Sequence, residues 1–334
     1  SRFSEEVAMN VFSTIRLPDE LRARIEAEHQ FEMHPEDQPM ERERLVDVIG
    51  SVEGLLCTIT DRIDDSLMAC GEKLKVIANF GVGFDHIDVA GATRRSILVT
   101  NTPGVLTDAT ADLAFALIMS LARRVVEGDR MIREGQFKYW APFHFLGSQI
   151  AGKILGIVGM GRIGQAVAKR AAGFEMRVLY HSRHALDAQT ERALGASRAA
   201  LDDLLRKSDF VSLHVPLTPE TRHLVGQREL AIMKPSACLI NTARGPVVDE
   251  AALVEALKQG VIHGAGLDVY ENEPELTPGL AALDNVVLLP HVGSATVETR
   301  TLMASMAVEN LLAGLRGEKP PNGLNWRDPV SGRA

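Results

Sequence analysis

Several things are scarce in this 334-residue chain, and each scarcity excludes something. Cysteine occurs three times, at Cys57, Cys70 and Cys238, an odd number without the C-x-x-C or Cys/His spacing of a disulfide or metal framework. The three are read as reduced small hydrophobic residues, and no metal is expected. Long apolar runs are missing too. The most apolar stretch, Leu113 to Ala122, falls well short of the ~20 residues that cross a bilayer, so no membrane partner is expected. Basic charge is not in excess: 36 Lys and Arg against 44 Asp and Glu leave −8, with the basic residues scattered. That argues against nucleic acid, whose binding depends on neutralising phosphates. Residues Ser1 to Glu6 do not lead into the apolar core of a secretory signal, and with reduced cysteines this makes the expected location cytoplasmic.

What is present is ordinary globular material. With 46% hydrophobic and 24% charged residues, wholesale disorder, collagen and coiled coil are excluded, and the length suits two domains of ~100 to 200 residues. In the first third, Val7 to Phe12, Gly54 to Ile59, Leu74 to Phe80 and Ile97 to Asn101 read as strands, separated by helix-length segments at Pro18 to Glu28, Met40 to Ile49, Asp65 to Cys70 and Val89 to Arg95. Such alternation means βαβ units and a parallel sheet. Thr107 to Asp112 is rich in capping residues and opens a helix through about Glu127; its stretch Leu113 to Leu121 reads as apolar on every face, hence buried all round between domains or subunits. A second series follows, with strands at Ile154 to Val158, Arg177 to Tyr180, Phe210 to Val215, Ala237 to Asn241, Gly264 to Val269 and Val286 to Leu289, six in all as in a doubly wound nucleotide-binding domain. Ser294 to Leu315 reads as one long helix before a Gly-, Pro- and Asn-rich tail from Gly317 to Ala334.

Gly159-Met160-Gly161-Arg162-Ile163-Gly164 is a G-x-G-x-x-G run, preceded by a candidate strand and followed by a helix with apolar Ile163, Val167 and Ala171. This context makes it a pyrophosphate cradle: the glycines permit the turn and close approach, and the helix N-terminus receives the charge. A site for NAD places an acid about twenty residues beyond, on the ribose. Here the corresponding segment is Tyr180-His181-Ser182-Arg183-His184, with no carboxylate before Asp187. A guanidinium suits a 2′-phosphate where an acid would repel it, so Ser182 and Arg183 make NADP the preferred cofactor, with NAD a second choice.

Three segments carry charge near the ends of later strands: Ile240 to Gly245 with Arg244, Gly266 to Pro274 with Asp268 and Glu273, and Leu289 to Ser294 with His291. With the cradle, and with Asn79 to Asp88, Asn101 to Thr107 and Val215 to Thr218, they closely resemble the D-isomer-specific 2-hydroxyacid dehydrogenases over essentially the whole chain. The resemblance implies an α/β fold of two Rossmann-like or flavodoxin-like domains with parallel sheets and an active site in the cleft between them. Residues 1–102 plus 291–334 would form the substrate-binding domain and 103–290 the NAD(P)-binding domain. It also implies hydride transfer between nicotinamide and the C2 of a 2-oxoacid, served by Arg244, Glu273 and His291. Each type suits its task. Arg244 can grip a carboxylate with a fixed planar charge, His291 can give the alkoxide its proton, and Glu273 can hold the imidazole and favour its protonated form.

By the same resemblance the amides of Val82 and Gly83 share the substrate carboxylate with Arg244, and Asp268 holds the nicotinamide amide. Thr107, Val215, Pro216, Thr221, Thr242, Ala243, His291 and Gly293 would line the cofactor beside the cradle, and Ser294 the substrate. Within the family, the segment Trp140 to Gly147, the Ser182-Arg183 pair and Pro290 to Thr296 are most similar to the glyoxylate and hydroxypyruvate reductases. Two residues depart from the usual pattern, Phe80 and Phe84. Together with Leu56, and with Trp140 from the same or a neighbouring subunit, they are expected to wall the pocket and favour small 2-oxoacids. Alternatives are a hydroxyphenylpyruvate-type enzyme and, in another class, a cofactor-sensing corepressor-like binding protein. The resemblance also implies a homodimer, expected here to bury Leu113 to Leu121.

Overall fold

The computed structural model describes residues 8–327. The chain divides into two units, Ser1–Leu106 with Thr296–Ala334, and Thr107–Ala295. In the first, strands β1 (Asn10–Ser13), β2 (Gln30–Met33), β3 (Gly54–Thr58), β4 (Val76–Phe80) and β5 (Leu98–Thr100) form a sheet in the order β2-β1-β3-β4-β5, parallel throughout. Alternation along the strands sends side chains to two apolar layers. Phe12, Leu55, Cys57, Ile77 and Val99 pack with helices Arg42–Ile49 and Asp65–Ala69 on one face. Val11, Leu56, Ala78 and Phe80 pack with helices Asp19–Glu26 and Val297–Leu315 on the other.

The second unit has seven parallel strands: β6 (Ile154–Val158), β7 (Arg177–His181), β8 (Ala196–Arg198), β9 (Phe210–Leu213), β10 (Cys238–Asn241), β11 (Gly264–Leu267) and β12 (Val286–Leu288), ordered β12-β11-β10-β9-β6-β7-β8. The order reverses between β6 and β9, the position where open α/β sheets bind ligands beyond their carboxyl ends. One face is covered by helices Thr107–Arg123 and Arg162–Gly173, the other by Leu201–Lys207, Gln227–Ile232 and Glu250–Lys258.

The structure departs from the sequence-based expectations in several places. Two strands are additional, β2 and β8. Both are short and polar, so hydrophobic pattern cannot reveal them. The helix opened at Thr107 stops at Arg123, because Arg124 takes a left-handed conformation (φ 52°) and a second helix, Val125–Arg133, follows. Leu113 to Leu121 is not buried on every face, since the helix lays one side on the sheet and leaves Ala116 exposed. The unit boundaries fall a few residues beyond 102/103 and 290/291, and His291 to Ala295 stay with the second unit, where Asp268 binds the following amides. The expected strand start at Val7 and the end of the tail lie outside the described residues. Among the described residues, no helix is long and apolar enough to cross a membrane.

Candidate active site

Glu273 and His291 meet in the second unit. His291 Nδ1 lies 2.8 Å from Glu273 Oε2, while Glu273 Oε1 accepts a bond from the Tyr270 amide at 2.9 Å. Burial would raise the Glu273 carboxyl, but the hydrogen bond and charge of His291, the Tyr270 amide and the charge of Arg244 hold it below the usual carboxylate range. His291 has φ 54°, an uncommon conformation for a non-glycine residue. Asp268 supports it: 1% exposed, its two oxygens accept the amides of Val292 and Gly293, each at 2.7 Å. Burial pushes the Asp268 carboxyl up, opposed by those amides and by His291. Thr110 Oγ1 donates to Gly293 O, anchoring the far side of the same turn.

Arg244 follows β10. Asn241 shapes its turn, Nδ2 donating to Arg244 O at 2.9 Å and Oδ1 accepting from the Ala243 amide at 3.0 Å. The guanidinium donates to Ala243 O at 2.8 Å and is half-buried. Beside it, the buried Thr242 hydroxyl has no hydrogen-bond partner in the protein.

The glycine run lies between β6 and helix Arg162–Gly173. At Gly159 (φ 98°) a Cβ would stand 2.5 Å from His214 O, and at Gly164 it would stand 2.1 Å from Gly159 O, so both positions exclude any side chain. Gly161 faces open space. Helix Arg162–Gly173 has no side-chain cap, which leaves its first amides for a ligand. Met160 is buried, Ile163 half-buried and Arg162 exposed.

At the end of β7, Ser182 is half-buried and Arg183 exposed. Arg198, on the strand that pattern missed, donates to the carbonyls of both, at 3.0 and 3.2 Å. It lines an open pocket of about 360 Å³ with His181, Ala199 and Ala200. Asp187, the first acid after β7, caps helix Ala188–Leu194 by accepting the Gln189 and Thr190 amides. Thr221 is occupied in its own turn, its hydroxyl donating to Pro216 O and accepting from the Thr218 amide. Val215 is half-buried and Pro216 exposed.

In the first unit, the three carbonyls of Gly81, Val82 and Gly83 are all held. Asn79 Nδ2 donates to Gly81 O and Gly83 O, Asn101 Nδ2 to Val82 O, and the Thr102 amide to Gly81 O. His86 Nε2 fixes the Asn79 amide at 3.1 Å. Leu56 is wholly buried in the core, so it cannot wall a pocket as expected; Phe80 is largely buried and Phe84 partly exposed.

A family profile for the D-isomer specific 2-hydroxyacid dehydrogenase NAD binding domain matches residues 115–293. A glyoxylate reductase of Thermococcus litoralis is 50% identical over 319 residues, 94% of this chain and 96% of that one. The chain belongs to the D-isomer-specific 2-hydroxyacid dehydrogenase family. Among solved structures, a glyoxylate reductase from Paecilomyes thermophila has a TM-score of 0.86 at 33% identity, covering 95% of this chain and 98% of that one. An NADPH-dependent glyoxylate/hydroxypyruvate reductase from Sinorhizobium meliloti, in complex with NADP and malonate, has a TM-score of 0.82 at 32% identity, covering 94% and 96%.

The dehydrogenase therefore has an NAD(P)-binding domain in its second unit, and the residues there fit such a ligand. Gly161 opens onto free space in front of uncapped amides, and the orphaned Thr242 hydroxyl can pair with a bound molecule. Arg244, Glu273, His291 and Asp268 stand together beyond β10, β11 and β12 in this unit. Sequence reasoning missed Arg198 and the Asn79 and Asn101 brackets, and gave Asp268 only a cofactor role. The Asn residues that open the segments Asn79 to Asp88 and Asn101 to Thr107 were the available signal for the brackets; nothing in the sequence pairs Arg198 with the β7 turn.

Proposed function

We propose that this dehydrogenase is an NADPH-preferring reductase of small 2-oxoacids, converting glyoxylate to glycolate and hydroxypyruvate to D-glycerate. The Glu273–His291 pair at 2.8 Å carries the reading. With Nδ1 engaged by Glu273, His291 Nε2 is left to give a proton to the alkoxide oxygen as C2 is reduced. The bound nicotinamide supplies the hydride. Arg244 binds the substrate carboxylate and draws charge from the ketone, and the held turn of Val82 and Gly83 offers its amides to the same carboxylate. Ser294 completes the substrate contacts. Thr107, Thr242, Ala243 and Val215 line the cofactor.

NADPH is favoured because the first acid after β7 is consumed as a helix cap, while Arg183 stands there with Arg198 behind it. A 2′-phosphate would meet two guanidinium groups, and the charge of Glu220 near Arg183 comes from an exposed side chain outside the β7 turn. Small acids are favoured by the relatives named as glyoxylate reductases and by the bulk of Phe80, Phe84 and Trp140. A steady-state screen with NADPH and NADH tests both parts. kcat/KM is highest for glyoxylate or hydroxypyruvate and at least tenfold lower for phenylpyruvate, about 1.4 kcal/mol. Phenylpyruvate as the better substrate would move the enzyme to the hydroxyphenylpyruvate type.

The same reading includes a homodimer, but on a different surface from Leu113 to Leu121. Helix Val125–Arg133 has no buried residue, and the segment after it exposes Trp140 (78%) and Phe143 (87%) with Tyr139 and Leu146. So large an apolar surface marks an interaction site, and the family resemblance makes a second copy its occupant.

A further inference from the structure

We propose that Glu250 is a positioning residue for the Glu273–His291 pair, clamping the turn that carries Glu273 at both of its ends. The inference rests on the reading of that pair as the proton relay. Glu250 is the first residue of helix Glu250–Lys258 and is 2% exposed, a burial that a carboxylate tolerates only when its oxygens are bonded. They are: Oε2 accepts the Glu271 amide at 2.8 Å and Oε1 the Thr277 amide at 3.0 Å. In return the Glu250 amide donates to Glu271 Oε2 at 3.2 Å, and the other Glu271 oxygen pairs with His223 Nε2.

Between the two clamped amides lies Glu273. Its Oε1 is committed to the Tyr270 amide, so the direction in which Oε2 reaches His291 is set by the path of residues 271–277. Among the described residues, Glu250 is the side chain that ties that turn to the body of the unit at both ends. The Asn272 carbonyl accepts the Glu275 amide within the turn itself, which closes it without anchoring it. Freed at Glu271 or Thr277, the turn can swing and Glu273 loses its distance to the imidazole. The charged groups facing the pair are Arg244 and Asp268, and with Glu271 and His223 they are unchanged in the variants below.

Glu250→Gln keeps shape but replaces one acceptor by an NH₂ that faces an amide donor. Glu250→Asp keeps charge but is too short to span both amides. For each, glyoxylate reduction is measured from pH 5 to 9, with melting temperature and KM for NADPH. The expected result is a kcat about tenfold lower, a fraction of what a positioned general acid contributes, and a descending limb moved to lower pH. KM for NADPH stays within about twofold, because the uniform binding of cofactor is untouched. A folded variant of either kind whose limb does not move overturns the proposal, even if its melting temperature falls. Glu273→Gln is the control. If it leaves the limb in place, the relay reading has failed; if it moves the limb and the Glu250 variants do not, only the clamp has.

Discussion

Arg183 carries the sharpest single-residue expectation. Exposed at the end of β7, it has no structural duty that would explain a loss of both cofactors together. Arg183→Ala therefore weakens NADPH use by about 1.5 to 3 kcal/mol, the range for hydrogen bonds to charged groups, and leaves NADH nearly untouched. Equal losses in kcat/KM for the two cofactors would contradict it. His291→Ala lowers kcat by about 10² to 10⁴ with little change in cofactor affinity. Glu273→Gln acts differently. Its carboxylate is held low by His291 and Arg244 despite burial, so at neutral pH it is an anion against the imidazole. Without that anion, the fall of reduction rate with rising pH begins earlier. At this scale the sequence was most legible where a family motif names the residue: the resemblance pointed to Arg244, Glu273 and His291, of which Glu273 and His291 stand 2.8 Å apart. Asp268 was named as a cofactor residue, but its hold on the His291 turn was not foreseen, nor was Arg198, because their partners are backbone groups 24 or more and 15 or more residues away along the chain, which no spacing rule connects.

The elements show where pattern reading works and where it fails. β4 and β10 are buried throughout and stand out as apolar runs, whereas β2, with Gln30 and Glu32 exposed, and β8, with Ser197 and Arg198 exposed, are edge strands written in polar residues. The break at Arg124 is also invisible to periodicity. It is held by side-chain geometry, the guanidinium lying over the Phe145 ring at 3.9 Å and pairing with Glu127. The glycine cradle gives a paired expectation. Gly161→Ala meets nothing within 4 Å, so it folds with an unchanged melting temperature yet binds NADPH more weakly, since the added methyl stands where the pyrophosphate approaches. Gly164→Ala collides with Gly159 O and loses thermal stability as well. Calorimetry and a fluorescence titration of the two proteins separate these effects. A Gly161→Ala protein with unaltered affinity would remove the cradle from the binding site. At the helix that closes the first unit, Thr296 accepts the Thr299 amide as N-cap, and Thr296→Ala costs about 1 kcal/mol in a denaturant titration.

For the whole molecule, the expected homodimer is tested by charge. Replacing Trp140 and Phe143 together by Glu puts two anions into an interface that exclusion of water would make costly, and leaves the core of either unit untouched. Sedimentation equilibrium at micromolar concentration then shows a dimer for the native chain and a monomer for the variant; a native monomer would reject the assembly. The alternation of strands and helices made two parallel sheets legible in advance, but composition could not show which apolar residues stay exposed. That depends on where the chain folds back, not on what it contains.

The first unit is written in two instalments, one before residue 107 and one after residue 295, with the whole second unit inserted between them. Its sheet needs the second instalment: Met303, Ala307, Val308, Leu311 and Leu315 of helix Val297–Leu315 make up much of one apolar layer, and a Cβ on Gly54 of β3 would stand 3.1 Å from Leu311. During synthesis the early strands must wait, half of their core unmade, while nearly two hundred later residues emerge and can fold as a unit of their own. The cofactor domain is thus the first part able to reach its native state on the ribosome, and the last helix is the fastener that admits the rest.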